Sequence, residues 1–79
     1  MYVIVTRNQC NFCDAAKALL KGSGREYVEY NIQDQGSKWV LDLLRKAEIK
    51  TVPQIWNSGG GVHIGGYTEL KDLLVEGPL

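Results

Sequence analysis

Tyr2-Val3-Ile4-Val5-Thr6 is a short, continuous apolar run, and soon after it the spacing of Phe12, Ala15, Ala16, Leu19 and Leu20 turns helical. A strand covered on both faces reads as an unbroken apolar run, whereas a half-buried helix shows its apolar side chains every three or four residues. Beyond a stop at Gly22-Ser23-Gly24, Val28, Tyr30 and Ile32 alternate with Tyr27, Glu29 and Asn31 at the period of a second strand. Two strands joined through a helix pair in parallel. This βαβ unit makes the first run a central strand, and it limits the fold more than any other feature of the chain.

The rest of the sequence must extend that sheet. After Asp34-Gln35-Gly36-Ser37, the positions Val40, Leu43, Leu44 and Ala47 mark a second helix, with Asp42, Arg45, Lys46 and Glu48 on its solvated face. Pro53-Gln54-Ile55-Trp56 and Val62-His63-Ile64 flank a glycine-rich turn and read as a β-hairpin. Leu70, Leu73 and Leu74 then give a short last helix, ended by Gly77-Pro78. The expectation is one α/β domain over residues 1–79: a four-stranded mixed sheet flanked by three helices in the order β-α-β-α-β-β-α.

Both cysteines of the chain stand at the first strand-to-helix handover, as Cys10-Asn11-Phe12-Cys13. A thiol attacks a disulfide only as its thiolate, and an ordinary cysteine with a pKa of about 8.5 is mostly protonated at neutral pH. The unpaired N–H groups and positive dipole end of a helix N-terminus favour the anion. Cys10 is therefore the expected nucleophile. Cys13, one helical turn on and more enclosed, is the expected resolving thiol. Arg7 adds a permanent positive charge nearby. Tetrahedral zinc wants four ligands, and beyond this pair the chain has no other cysteine and one histidine, His63, which argues against zinc. A purely structural bridge would close too short a loop to constrain much of the unfolded chain.

Nine acidic and nine basic side chains balance one another, which argues against a nucleic-acid surface. No apolar run has the length of a membrane span, and Met1-Tyr2-Val3-Ile4-Val5-Thr6 lacks the pattern of a secretory signal. The expected setting is cytoplasmic, where a dithiol is kept reduced and used catalytically.

Four segments together give a specific likeness: Thr6-Arg7-Asn8-Gln9-Cys10-Asn11-Phe12-Cys13, Thr51-Val52-Pro53-Gln54-Ile55, His63-Ile64-Gly65-Gly66 and Tyr67-Thr68-Glu69-Leu70. In them the chain resembles the glutaredoxins, small members of the thioredoxin-fold superfamily, and its ending is similar to that of bacteriophage glutaredoxins. The resemblance implies a thioredoxin fold and a glutathione-dependent reduction of protein disulfides and glutathione mixed disulfides, with ribonucleotide reductase among the clients and the protein acting as a monomer. It implies that Pro53 is cis, that Val52 offers its backbone to the cysteinyl part of glutathione, and that Gly65-Gly66 lets the backbone approach the ligand closely.

It also implies that Thr68 caps the last helix and Glu69 meets the glutamyl ammonium, at positions where many glutaredoxins carry two aspartates. Arg7 stands for a family lysine beside the thiolate and the glycine carboxylate. Lys38, with Gln35 as its rival, is the second candidate for that carboxylate. Phe12 keeps an aromatic wall for the ligand without a hydroxyl, and Asn11 replaces the usual proline. Some glutaredoxins without that proline hold an iron–sulfur cluster between two chains, which gives one alternative. Another is a glutaredoxin-like redoxin reduced by thioredoxin reductase.

Overall fold

In the computed structural model, which describes residues 1–59 and 61–75, strand β1 (Tyr2–Thr6) occupies the interior of a four-stranded sheet. Helix α1 (Asn11–Gly22) leads from it to β2 (Tyr27–Asn31), which pairs with β1 in parallel from Tyr2 opposite Tyr27 to Thr6 opposite Asn31. A 3-10 turn at Gln35–Ser37 runs into α2 (Lys38–Lys46). The chain then returns as β3 (Gln54–Asn57), antiparallel to the other side of β1, followed by β4 (Val62–Gly65) and α3 (Tyr67–Val75). The sheet order is β2-β1-β3-β4, and the element order is the expected β-α-β-α-β-β-α.

The alternation of β1 divides the interior in two. Tyr2 and Ile4 face α1 and α3, where they pack with Ala16, Leu20, Ile55 and Leu70. Val5 faces the other way, onto Val40 and Leu44 of α2, with Tyr30, Ile32, Ile49, Val52 and Trp56 around them. β1 thus feeds two apolar layers, which is why it reads as a continuous run. α1 ends where Gly24 takes the left-handed region at φ +68° and the N–H groups of Ser23 and Arg25 satisfy the carbonyls of Leu19 and Leu20.

Three expectations about packing are corrected. Tyr30 and Ile32 are half-buried on the α2 side, but Val28 is exposed because β2 is an edge strand, and Tyr27 on its opposite face packs against the larger core. Leu43 and Leu73 belong to the apolar stripes of α2 and α3 but remain 54% and 43% exposed. Each of these helices has nine residues and sits on a small sheet, so only part of its stripe finds cover. Trp39 is exposed too, its ring set edge-on against Tyr30. The expected helix stop at Gly77-Pro78 lies outside the described residues. Among those residues no helix is long and apolar enough to cross a membrane.

Candidate active site

β1 delivers the chain to the cysteine pair. Cys10 is the N-cap of α1, with extended backbone at φ −124° and ψ 103°. Its carbonyl accepts the Asp14 N–H at 3.1 Å and its Sγ accepts the Cys13 N–H at 3.2 Å. A sulfur does here what a serine or aspartate oxygen does at most helix starts. The two cysteines form a disulfide with their Cα atoms 5.2 Å apart. Cys10 is 6% exposed and Cys13 1%, so the first is the more accessible of the two, as expected.

The loop before Cys10 is tied to the end of β2. The Asn8 N–H is donated to Gln33 Oε1, Asn31 Nδ2 donates to Asn8 Oδ1 at 2.8 Å, and the Gln33 N–H donates to Asn31 Oδ1 at 2.9 Å. Between this tether and the cap, Gln9 takes the left-handed region at φ +53°. Sequence reasoning missed these three polar residues. They meet because the parallel register sets Asn31 beside Thr6, which no local pattern reveals.

A groove of about 190 Å³ is lined by Phe12 of α1, by Thr51, Val52 and Pro53, and by Gly66, Tyr67, Thr68 and Glu69 at the start of α3. Six of the residues singled out from the sequence therefore come together: Phe12, Val52, Pro53, Gly66, Thr68 and Glu69. The Val52–Pro53 peptide is cis, as expected. The Phe12 ring is 64% exposed and lies 5.9 Å from that of Tyr67, so the aromatic wall is made of two rings. Arg7 in the loop after β1 and Lys38 at the start of α2 are exposed, and neither is among the residues that line the groove.

The start of α3 differs from the expectation. Gly66 is the capping residue: its carbonyl accepts the Leu70 N–H at 3.0 Å and its own N–H is donated to Glu69 Oε1 at 2.9 Å. This is half of a capping box, in which the third helical residue reaches back to the cap. Thr68, already one turn-position inside the helix, does not cap. Gly65 takes φ +118°, and a Cβ there would come within 2.8 Å of Glu69 Oε1. The backbone conformation favours glycine at that position, and a Cβ would in addition have to push the Glu69 side chain aside.

Behind the cysteine helix, Thr6 Oγ1 donates to Glu29 Oε2 at 2.6 Å and Lys17 Nζ approaches the same oxygen at 3.1 Å. Burial works to raise the pKa of the Glu29 carboxyl, but the hydrogen bonds from Thr6 and Lys17 and the lysine charges outweigh it and hold the group below its usual range. The bond to Glu29 in turn raises the pKa of Lys17. Among the described residues no cluster of three His, Cys, Asp or Glu side chains is placed to hold a metal ion.

A disulfide-forming cysteine pair at a helix N-terminus, fed by a central strand and with a cis-proline segment sharing a groove with the intervening Phe12, defines a thiol–disulfide oxidoreductase of the thioredoxin-like fold. Residues 2–64 match the glutaredoxin family, and the chain belongs to it. It is 39% identical over 77 residues to a glutaredoxin of Pseudomonas aeruginosa, covering 98% of this chain and 88% of that protein. Glutaredoxin 3 of Escherichia coli K12 is 34% identical over 76 residues, covering 96% of this chain and 88% of that protein. The crystal structure of a buckwheat glutaredoxin–glutathione complex superposes with a TM-score of 0.78 at 26% identity, covering 96% of this chain and 69% of that one. The protein is thus a glutathione-dependent disulfide oxidoreductase with Cys10-Asn11-Phe12-Cys13 as its redox pair.

Proposed function

We propose that Cys10 is the nucleophile and Cys13 the resolving thiol of a dithiol cycle. The Cys10 thiolate attacks a client disulfide, forming a mixed disulfide and releasing one client thiolate. Cys13 then attacks Cys10 Sγ, which closes the Cys10–Cys13 bond and frees the second client thiol. One glutathione thiolate opens that bond at Cys10, giving a glutathione mixed disulfide on Cys10 and freeing the Cys13 thiol. A second attacks the bound glutathione sulfur and displaces the Cys10 thiolate, so oxidised glutathione leaves and its two electrons stay on the restored dithiol. The observation that carries this assignment is Cys10 Sγ held at the helix N-cap against the Cys13 N–H, a donor that stabilises the sulfur anion.

The groove beside Phe12 is the proposed glutathione site. Its support is the convergence of the Val52–Pro53 segment with the start of α3, whose backbone N–H groups suit a carboxylate, and the glutathione bound in the buckwheat relative. Val52 offers its backbone to the cysteinyl unit, Pro53 and Gly66 allow close approach, and Thr68 and Glu69 face the γ-glutamyl end. Arg7 and Lys38 lie outside the groove itself, and we assign them to the glycine carboxylate. Clients are disulfide-bonded or glutathionylated proteins of a reducing cytoplasm, ribonucleotide reductase among them, with the protein working as a monomer.

The test is turnover of a small glutathione mixed disulfide, coupled through glutathione and glutathione reductase to NADPH. Cys10→Ser should abolish activity, whereas Cys13→Ser should keep deglutathionylation and lose most protein-disulfide reduction. Equal losses for Cys13→Ser in the two assays would overturn the division of labour. Turnover with thioredoxin reductase alone would overturn the glutathione site.

A further inference from the structure

Gln54 opens β3 with only 8% of its surface exposed, and it is the one amide among the buried polar side chains of the described residues. Burying a primary amide is costly unless its donors and acceptor are paired. Gln54 pairs them by folding back along the chain. Its Nε2 donates to the Thr51 carbonyl at 3.0 Å and to Thr51 Oγ1 at 3.1 Å, while its Oε1 lies 2.7 Å from His63 Nε2.

A carbonyl oxygen only accepts, so the nitrogen end of the Gln54 amide must face Thr51 and its oxygen must face His63. His63 accordingly carries a proton on Nε2 and donates it. The imidazole is itself stacked on Trp56, with ring centroids 4.7 Å apart and an interplanar angle of 23°. Trp56, His63 and Gln54 therefore form a continuous brace that runs from the β3–β4 hairpin to the backbone of Thr51. Thr51 and the next two residues are one wall of the groove. None of the three bracing side chains lines that groove.

We infer that Gln54 is a positioning residue for glutathione. By holding the Thr51 carbonyl and hydroxyl it fixes where the Val52 backbone meets the ligand, and so sets affinity for the glutathione moiety without taking part in sulfur exchange. This rests on the groove reading above, and its test separates the two.

Gln54→Met keeps the volume and loses all of the hydrogen bonds. Gln54→Glu keeps the acceptor for His63 and loses only the donors to Thr51. For the glutathione mixed disulfide, each variant should raise KM about tenfold, the scale of one to two lost hydrogen bonds, and leave kcat near that of the parent. Reduction of a glutathione-free disulfide by dithiothreitol through Cys10 and Cys13 should be unchanged in both. His63→Ala should give the same pattern more weakly. An unchanged KM in either folded variant, or a parallel fall in kcat on both substrates together with lost thermal stability, would overturn the positioning role. If the parent itself shows no saturation with glutathione mixed disulfides, the groove reading fails whatever Gln54 does.

Discussion

The Cys13 N–H donates to Cys10 Sγ, so the backbone cap that starts α1 is aimed at the sulfur that the proposed cycle uses as nucleophile. A second residue-scale constraint lies across the groove. Gly65 combines a left-handed backbone with a side chain packed where its Cβ would be. Gly65→Ala should destabilise the protein by about 1–3 kcal/mol in urea unfolding and weaken glutathione turnover as Glu69 is pushed off the Gly66 N–H. Adding Glu69→Ala should relieve the clash but not the backbone cost; full recovery of stability would show that the backbone is not strained. The Gly65-Gly66 pair was legible in sequence as a site of close approach. What crowds it was not, because the nearest neighbour of Gly65 is a side chain of the protein itself, Glu69, rather than ligand.

At the scale of elements, α1 is aimed by what precedes it. The Asn8–Asn31–Gln33 tether joins the loop before the nucleophile to the C-terminal end of β2. These bonds are exposed, so Asn31→Ala should cost no more than about 1 kcal/mol of stability. It should nevertheless slow alkylation of Cys10 by iodoacetamide at neutral pH severalfold, since a loosened loop holds the helix start less firmly. An unchanged alkylation rate would show that the loop is held without Asn31. The strands and helices themselves were readable, because each carries its own period: the apolar run at Tyr2–Thr6, the stripe from Phe12 to Leu20, the hairpin around the glycines. The tether was not readable, because three short polar residues have no period and meet only through strand register. For the same reason Lys38 and Gln35 could be placed near the start of α2 but not near the groove.

For the molecule as a whole, the sequence indicated the element order but not which helices share a face. A stripe such as Val40 and Leu44 says that a helix is buried on one side, and nothing about which side of a sheet receives it. The Thr6–Glu29–Lys17 cluster joins β1, β2 and α1 on the face that α1 and α3 share. The Glu29 pKa is lowered on folding, so its contribution is present above the ordinary carboxyl value of 4.5 and is lost as the pH falls through the folded value. That of Lys17 is raised, so its contribution is present below 10.5 and is lost above that in strong alkali. Glu29→Gln should thus be less stable than the parent at neutral pH, by no more than about 1 kcal/mol for so exposed a pair, and the gap should close in acid. Urea unfolding across a pH series measures it, and a gap that does not vary with pH would rule out an electrostatic origin. The dithiol occupies a single turn of helix, but the groove beside it draws on residues from position 12 to position 69. With the groove as the proposed glutathione site, an unfolded chain should remain a reducing agent while losing its discrimination, and the ratio of its rates on a glutathionylated and a generic disulfide should gauge how much of the population is native.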